Sequence, residues 1–231
     1  MRRGFVTFWI VCSAIFVSGQ TNDWAQSARY ARENAALMES GEEVPVVFYG
    51  NSITQMWYEA HPGFFLQNHF AGRGIGGQTS CELLVRFRQD VINLQPKKVV
   101  ILAGINDIAE NNGPVSLENI LGNIVSMCEL ARANHITPIL CSVLPARAFY
   151  WNPSIQDVPA KVQALNRLIR TYADGAGIPY VNYYDALADT DGGMKQGLSI
   201  DEVHPAPDTY TIMEEIVLPF LAQPAPNNEL Y

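Results

Sequence analysis

The sequence predicts an α/β protein: a parallel sheet of about five strands with helices on both faces. Five short runs rich in Val, Ile and Leu recur along the chain, and amphipathic helical stretches lie between them. The runs are apolar throughout rather than alternating, as strands covered on both sides require.

The elements follow in order. Residues 23–40 hold Ala, Glu and Arg without Gly or Pro and read as a helix, which Gly41 ends. The five strands are expected at 44–49, 70–75, 97–102, 137–144 and 178–183, the second being the weakest. Helical spacing places Leu83, Leu84, Phe87 and Val91 on one face of residues 80–93. Ile120, Ile124, Met127 and Leu130 do the same over 117–134, and Val162, Leu165 and Ile169 over 159–173. A last helix runs from 207 to 221 with Pro207 at its start. Residues 223–231 read as a frayed tail. No linker interrupts the pattern, so residues 20–231 form a single domain in this reading.

Arg2 and Arg3 precede an apolar run over 4–17, followed by Val17-Ser18-Gly19. This is the pattern of a secretory signal over residues 1–19, with cleavage near Gly19 and a secreted or periplasmic product. The run is short for a membrane span, and no span is expected after cleavage. An uncut anchor is the alternative reading. The net charge is −8, and no basic cluster sits among aromatics, so nucleic acid is not an expected partner. Loss of Cys12 leaves Cys81, Cys128 and Cys141, an odd set that makes no disulfide framework. Cys128 and Cys141 read as buried small hydrophobes.

In an open parallel sheet, ligands bind beyond the carboxyl ends of the strands. Four blocks fall there: Gly50-Asn51-Ser52, Gly76-Gly77-Gln78, Gly104-Ile105-Asn106-Asp107 and Asp201-Glu202-Val203-His204. A serine hydroxyl needs a base to become a nucleophile, and His204 can be that base for Ser52. Asp201, three residues earlier, can hold the imidazole in the working tautomer. The backbone N–H of Ser52, the N–H of Gly77 and the amide of Asn106 can form an oxyanion hole. His204 must be neutral to accept the proton, so activity is expected to fall in acid.

These blocks, in this order over residues 46 to about 210, resemble the SGNH hydrolases, also called the GDSL esterase/lipase family. The resemblance implies a flavodoxin-like three-layer α/β/α sandwich. It implies Ser52 as nucleophile, Gly77 and Asn106 in the oxyanion hole, Asp201 and His204 as acid and base, and no cofactor. Asp189-Thr190-Asp191-Gly192 is similar to the family's loop before that pair. One departure stands out: Asn51 replaces the family's usual Asp before the serine, keeping a carbonyl acceptor but losing the charge.

Other motifs point elsewhere and fail. Gly72-Arg73-Gly74-Ile75-Gly76-Gly77 matches a dinucleotide-binding pattern, but the next strand ends in Leu102-Ala103-Gly104 without the required acid. Thr54 occupies the position where an α/β-hydrolase elbow needs Gly. No H-E-x-x-H or C-x-x-C pattern supports a metal site. Asn51, Trp57, Phe149, Tyr150 and Trp151 are possible substrate contacts, with core packing as the alternative for the aromatics. The expected activity is that of an exported serine esterase releasing short acyl groups, chiefly acetyl, from carbohydrate, so the expected partner is a small ester or acylated glycan. A lipase or thioesterase for longer chains, and a non-catalytic carbohydrate-binding protein on the same fold, are the alternatives.

Overall fold

The computed structural model describes residues 23–222. The expected signal segment 1–19, Cys12 and the expected tail 223–231 lie outside the described residues.

Five parallel strands form one sheet: β1 (Val46–Gly50), β2 (Ala71–Gly74), β3 (Lys98–Leu102), β4 (Thr137–Cys141) and β5 (Tyr180–Val181), in spatial order β2-β1-β3-β4-β5. This is the doubly wound order, whose reversal beside β1 opens a crevice at the carboxyl ends. Register pairs Gly50 with Gly74 on one side and Leu102 on the other, so three site-bearing loops leave the sheet at one level.

Helices cover both faces. Along β1, successive side chains take opposite sides. Phe48 meets Trp57 of α2 (Ser52–Ala60) and Phe65 of α3 (Pro62–Gln67). Tyr49 turns the other way, packing on Phe87 of α4 (Ser80–Asp90) and donating its hydroxyl to Leu83 O at 2.5 Å. Beside α2 lies α9 (Thr209–Ala222), whose Tyr210 stacks on Trp57 with ring centroids 5.6 Å apart. On the far face α4 packs against α6 (Leu117–Ala133), and α6 against α7 (Val158–Ala176). The short helices α5 (Ile105–Ile108) and α8 (Tyr183–Leu187) lie in the loops after β3 and β5. Among the described residues, no helix is long and apolar enough to cross a membrane.

The elements depart from the sequence expectation at several places; the fourth strand ends at Cys141 rather than 144, and the helix expected over 80–93 ends at Asp90. The first helix, α1, spans only Ala31–Ser40. Ahead of it the Asp23 carboxylate accepts the N–H groups of Ser27 and Ala28, each at 2.8 Å, and Gln26 takes a φ of 52°, so residues 23–30 fold as turns. The fifth strand keeps two residues, because Asn182 caps α8 by accepting the Asp185 N–H and so turns Tyr183 into a helix. The last helix starts at Thr209 and carries Pro219 inside.

Two features bind the strand ends. Gly74 leaves room for α2: a Cβ there would lie 2.2 Å from Gln55 N and 2.6 Å from Asn51 O. Close helix–strand packing, not dinucleotide binding, is what this glycine serves. Arg86, fully buried on α4, donates to Gly50 O and Arg73 O at 2.9 Å, to Gln78 Oε1 at 2.5 Å and to Asp90 at 2.8 Å. One guanidinium thereby ties the ends of β1 and β2 to the loop after β2.

Candidate active site

Ser52 opens α2 directly after β1. Asn51 caps the helix, its Oδ1 accepting the Ile53 N–H at 3.1 Å. The Ser52 N–H is thus among the first amides of a helix, aimed outward where the helix dipole favours negative charge. Ser52 Oγ lies 2.8 Å from His204 Nε2.

His204 sits in a tight turn between α8 and α9. Ile200 N and the Ser199 hydroxyl both bind His204 O, at 3.0 and 2.9 Å, and Glu202 takes a φ of 70° to close the loop. Within it, Asp201 Oδ2 lies 2.7 Å from His204 Nδ1, while Oδ1 accepts the backbone N–H of His204 at 2.7 Å and of Val203 at 3.1 Å. Burial alone raises the Asp201 carboxyl, but these bonds and the charge of the facing imidazole outweigh it and hold the group below the ordinary carboxylate range.

Gly77 follows β2 with a φ of 78°, a conformation that favours glycine. Its carbonyl accepts from Asn111 Nδ2 at 2.9 Å. Asn106, at the start of the loop after β3, is buried and donates one Nδ2 hydrogen to Gln78 O at 2.9 Å. Its neighbour Asp107 faces away, accepting the Ser80 N–H and, at 2.6 Å, the Ser80 hydroxyl. Burial pushes the Asp107 carboxyl above its ordinary value against the pull of those bonds.

The structure therefore brings together Ser52, Asp201 and His204 as one hydrogen-bonded chain, with Gly77 and Asn106 linked through the neighbouring Gly77-Gln78 loop. It separates the expected substrate contacts. Trp57 is buried, donating Nε1–H to Glu214 at 3.0 Å and packing on Phe64 and Tyr210, so it is a core residue rather than a substrate contact. Phe149 is likewise buried, anchoring its loop beneath Trp151. Asn51 is buried as a helix cap and offers no substrate surface. Tyr150 and Trp151 do reach the surface, 69% and 37% exposed, edge to face with centroids 5.0 Å apart. The Trp151 ring stands 6.5 Å from that of His204.

Several residues here carry no signal readable in one sequence. Arg147, in the loop after β4, reaches Asp189 at 2.5 Å and Glu202 at 3.3 Å, bracing the turn that holds Asp201 and His204. The Asp189 carboxylate is occupied by this contact and by the N–H groups of Asp191 and Gly193. Asn111 was equally hidden. Arg86 and Asp90 had a faint signature, a charged i,i+4 pair beside the apolar stripe of α4. Burial pushes the Cys128 thiol up to about 12 and Cys141 higher still, as befits inert packing residues.

A hydroxyl on an imidazole on a carboxylate, beside backbone and amide donors after parallel strands, is the machinery of acyl transfer. Residues 48–212 match the GDSL-like lipase/acylhydrolase family. The chain belongs to this family and is a carboxylic ester hydrolase. A GDSL-like lipase from Bacteroides thetaiotaomicron is 48% identical, with a TM-score of 0.82 over 86% of this chain and 98% of that one. A candidate acylhydrolase from Bacteroides fragilis has the same identity and TM-score, over 86% of this chain and 96% of that one. Axe2, an acetylxylan esterase from Geobacillus stearothermophilus, shares the fold at 17% identity, with a TM-score of 0.62 over 80% of this chain and 96% of its own. An uncharacterized lipoprotein of Bacillus subtilis is 39% identical over 75 residues, 31% of each protein, so the chain spans under a third of that relative's length.

Proposed function

We propose that the protein is an exported esterase that removes short acyl groups, chiefly acetyl, from carbohydrate through an acyl-enzyme on Ser52. The observation that carries the mechanism is the continuous chain from Ser52 Oγ through His204 to Asp201, with contacts of 2.8 and 2.7 Å. Ser52 Oγ attacks the ester carbonyl while His204 Nε2 takes its proton. The oxyanion meets the N–H groups of Ser52 and Gly77 and the second Nδ2 hydrogen of Asn106. The ester C–O bond breaks and the alcohol leaves with the proton from His204. Water then attacks the acyl-enzyme with His204 again as base, releasing the acid and restoring Ser52.

The substrate class rests on the exposed pair Tyr150 and Trp151 beside His204. Their flat faces suit the apolar faces of sugar rings, and their polar edges suit hydroxyls. The fold shared with an acetylxylan esterase is consistent with such a substrate. Export is supported by Arg2-Arg3, the apolar run and Val17-Ser18-Gly19, and by the lipoprotein name of the Bacillus subtilis relative. N-terminal sequencing of natively exported protein should read from near Gln20; an intact Met1 sinks cleavage.

The test of activity is kcat/KM across acetyl, butyryl and octanoyl nitrophenyl esters, with acetate release from acetylated xylan alongside. Acetyl should lead, and Ser52→Ala should stay folded and nearly inactive. A preference rising toward octanoyl with no acetate release would move the assignment to a long-chain lipase or thioesterase. Full activity in Ser52→Ala would overturn the mechanism.

A further inference from the structure

We propose that Asn111 is a positioning residue that couples the oxyanion-hole glycine to the Trp151 ring beside His204, so that one side chain tunes both turnover and the preference for carbohydrate esters. This rests on the esterase reading above.

Asn111 lies in the loop after α5, and three bonds converge on it. Its backbone N–H donates to Asn106 O at 3.1 Å. Its side-chain Nδ2 donates to Gly77 O at 2.9 Å, and its Oδ1 accepts the Trp151 Nε1–H at 2.8 Å. Glu110, just before it, takes a φ of 57°, which turns the chain back toward Asn106. An amide is planar, with donor and acceptor on opposite arms. Engaging both arms at once fixes its plane, so Gly77 and Trp151 are held at a set separation.

Each end of this link matters chemically. Gly77 has no Cβ and a positive φ, so its backbone torsions are soft and its N–H is only as well aimed as its neighbours make it. Asn111 pins the Gly77 carbonyl, and Asn106 pins the next carbonyl, that of Gln78. Two side-chain amides therefore clamp consecutive peptides. At the other end Trp151 stands beside His204 while hydrogen-bonded to the oxyanion side, so its ring bridges the two sides of the cleft. A ring held there offers its face to the sugar of the reading above at a fixed angle to His204. Phe149 and Asn152 fix the base of that loop, the latter donating to Ala109 O at 2.9 Å. The Asn111 contact holds the indole N–H toward the Gly77 side.

A surface staple without catalytic effect is the rival account, since Asn111 is exposed. The two separate in kinetics. Removing a direct oxyanion donor costs 10²–10³ in kcat, and a group acting through one costs less, so Asn111→Ala should lose about tenfold in kcat at little change in KM. It should also lower the ratio of kcat/KM on acetylated xylan to that on nitrophenyl acetate. Trp151→Phe keeps a ring and the Asn111–Gly77 bond but removes the indole N–H. It should lose less kcat than Asn111→Ala while shifting the same ratio. Melting midpoints recorded alongside should stay near native, and Asn111→Ser serves as a second neutral variant should Asn111→Ala fold poorly.

The inference is overturned if both Asn111 variants keep kcat within about twofold of native, or if their losses track a fall in folded fraction. It is overturned equally if Trp151→Phe loses as much kcat as Asn111→Ala. These results leave the esterase reading standing. A native protein inactive on every ester would instead sink that reading, and this inference with it.

Discussion

Asp201 grips His204 twice, through the ring at Nδ1 and through the backbone N–H, each at 2.7 Å. The carboxylate therefore sets both the orientation of the imidazole and the shape of the turn that presents it. Asp201→Asn separates the two roles. An Asn Oδ1 still accepts the His204 and Val203 N–H groups, but its amide offers a donor to Nδ1 and favours the wrong tautomer. The expected outcome is a folded protein with kcat lowered on the order of 10⁴-fold. Circular dichroism with steady-state kinetics checks it; a loss below tenfold would remove Asp201 from the mechanism.

The same bonds make a signed prediction about pH. The Asp201 carboxyl is held below its ordinary range in the folded protein. A depressed folded pKa contributes stability that is present above the unfolded value of about 3.9 and lost as pH falls through the folded one. Native protein should therefore exceed Asp201→Asn in stability at neutral pH, and the gap should close below about pH 4. Urea midpoints from pH 3 to 7 measure this. A gap that widens in acid would reverse the sign.

Asn106 and Gly77 fail in different ways when altered. Asn106→Ala deletes a buried amide donor and should cut kcat by on the order of 10²–10³ with KM little changed. Gly77→Ala meets no obstacle, since the added Cβ would find only Asn111 Nδ2, at 4.0 Å. Its cost is conformational, because the φ of 78° strains a residue with a side chain. It should lower both stability and kcat. Native kinetics in either variant would place the oxyanion elsewhere.

Much of this was legible in the sequence, for identifiable reasons. Strands buried on both faces, such as β1 and β3, need unbroken apolar runs, and such runs are visible without any partner. Three of the four blocks were legible because residues following parallel strands share one edge, and the fourth because Asp201 stands three residues before a histidine. What the sequence hid was facing. Trp57 follows Ser52 closely, but Ile53 and Trp57 stand four apart on one face of α2, and that face meets α9. Phe149, Tyr150 and Trp151 are chemically alike, and only the fold turns the first inward. Arg147 and Asn111 are polar residues in loops, where nothing periodic reveals a partner.

The departure at Asn51 has a measurable consequence. Its Oδ1 caps α2, but its Nδ2 is buried without a hydrogen-bond partner among the described residues. A buried unpaired donor costs about 1–3 kcal/mol. Asn51→Asp keeps the capping oxygen, removes the donor and places an anion at a helix N-terminus, worth about 0.3–1 kcal/mol more. Burying the carboxylate opposes this, so the net expected gain is about 1 kcal/mol. Urea denaturation at neutral pH checks it; a lowered midpoint would mean that desolvation wins.

Arg86 gives the largest expected stability effect. It is fully buried over the Tyr49 ring, 4.4 Å from the centroid, and all its bonds go to groups with no access to water. Removing it strands Asp90, which among the described residues keeps the 2.7 Å bond from Asn34, and unties Gly50 and Gln78 on either side of the site. Breaking a buried pair from one side costs about 3–5 kcal/mol, because an uncompensated charge remains in the interior. Arg86→Met should therefore lose about that much stability. Its esterase activity should fall further than the unfolded fraction accounts for, since Gly50 lies two residues before Ser52. Arg86→Met with Asp90→Leu removes the stranded charge as well and should recover part of the stability, as replacing both members of a buried pair commonly does. The recovered activity should be smaller, because the carbonyls at the ends of β1 and β2 still lack their donor. A double variant less stable than the single one would show that Asp90 has other partners sufficient to hold it. Full activity in the single variant would show that the strand ends keep their positions without the guanidinium.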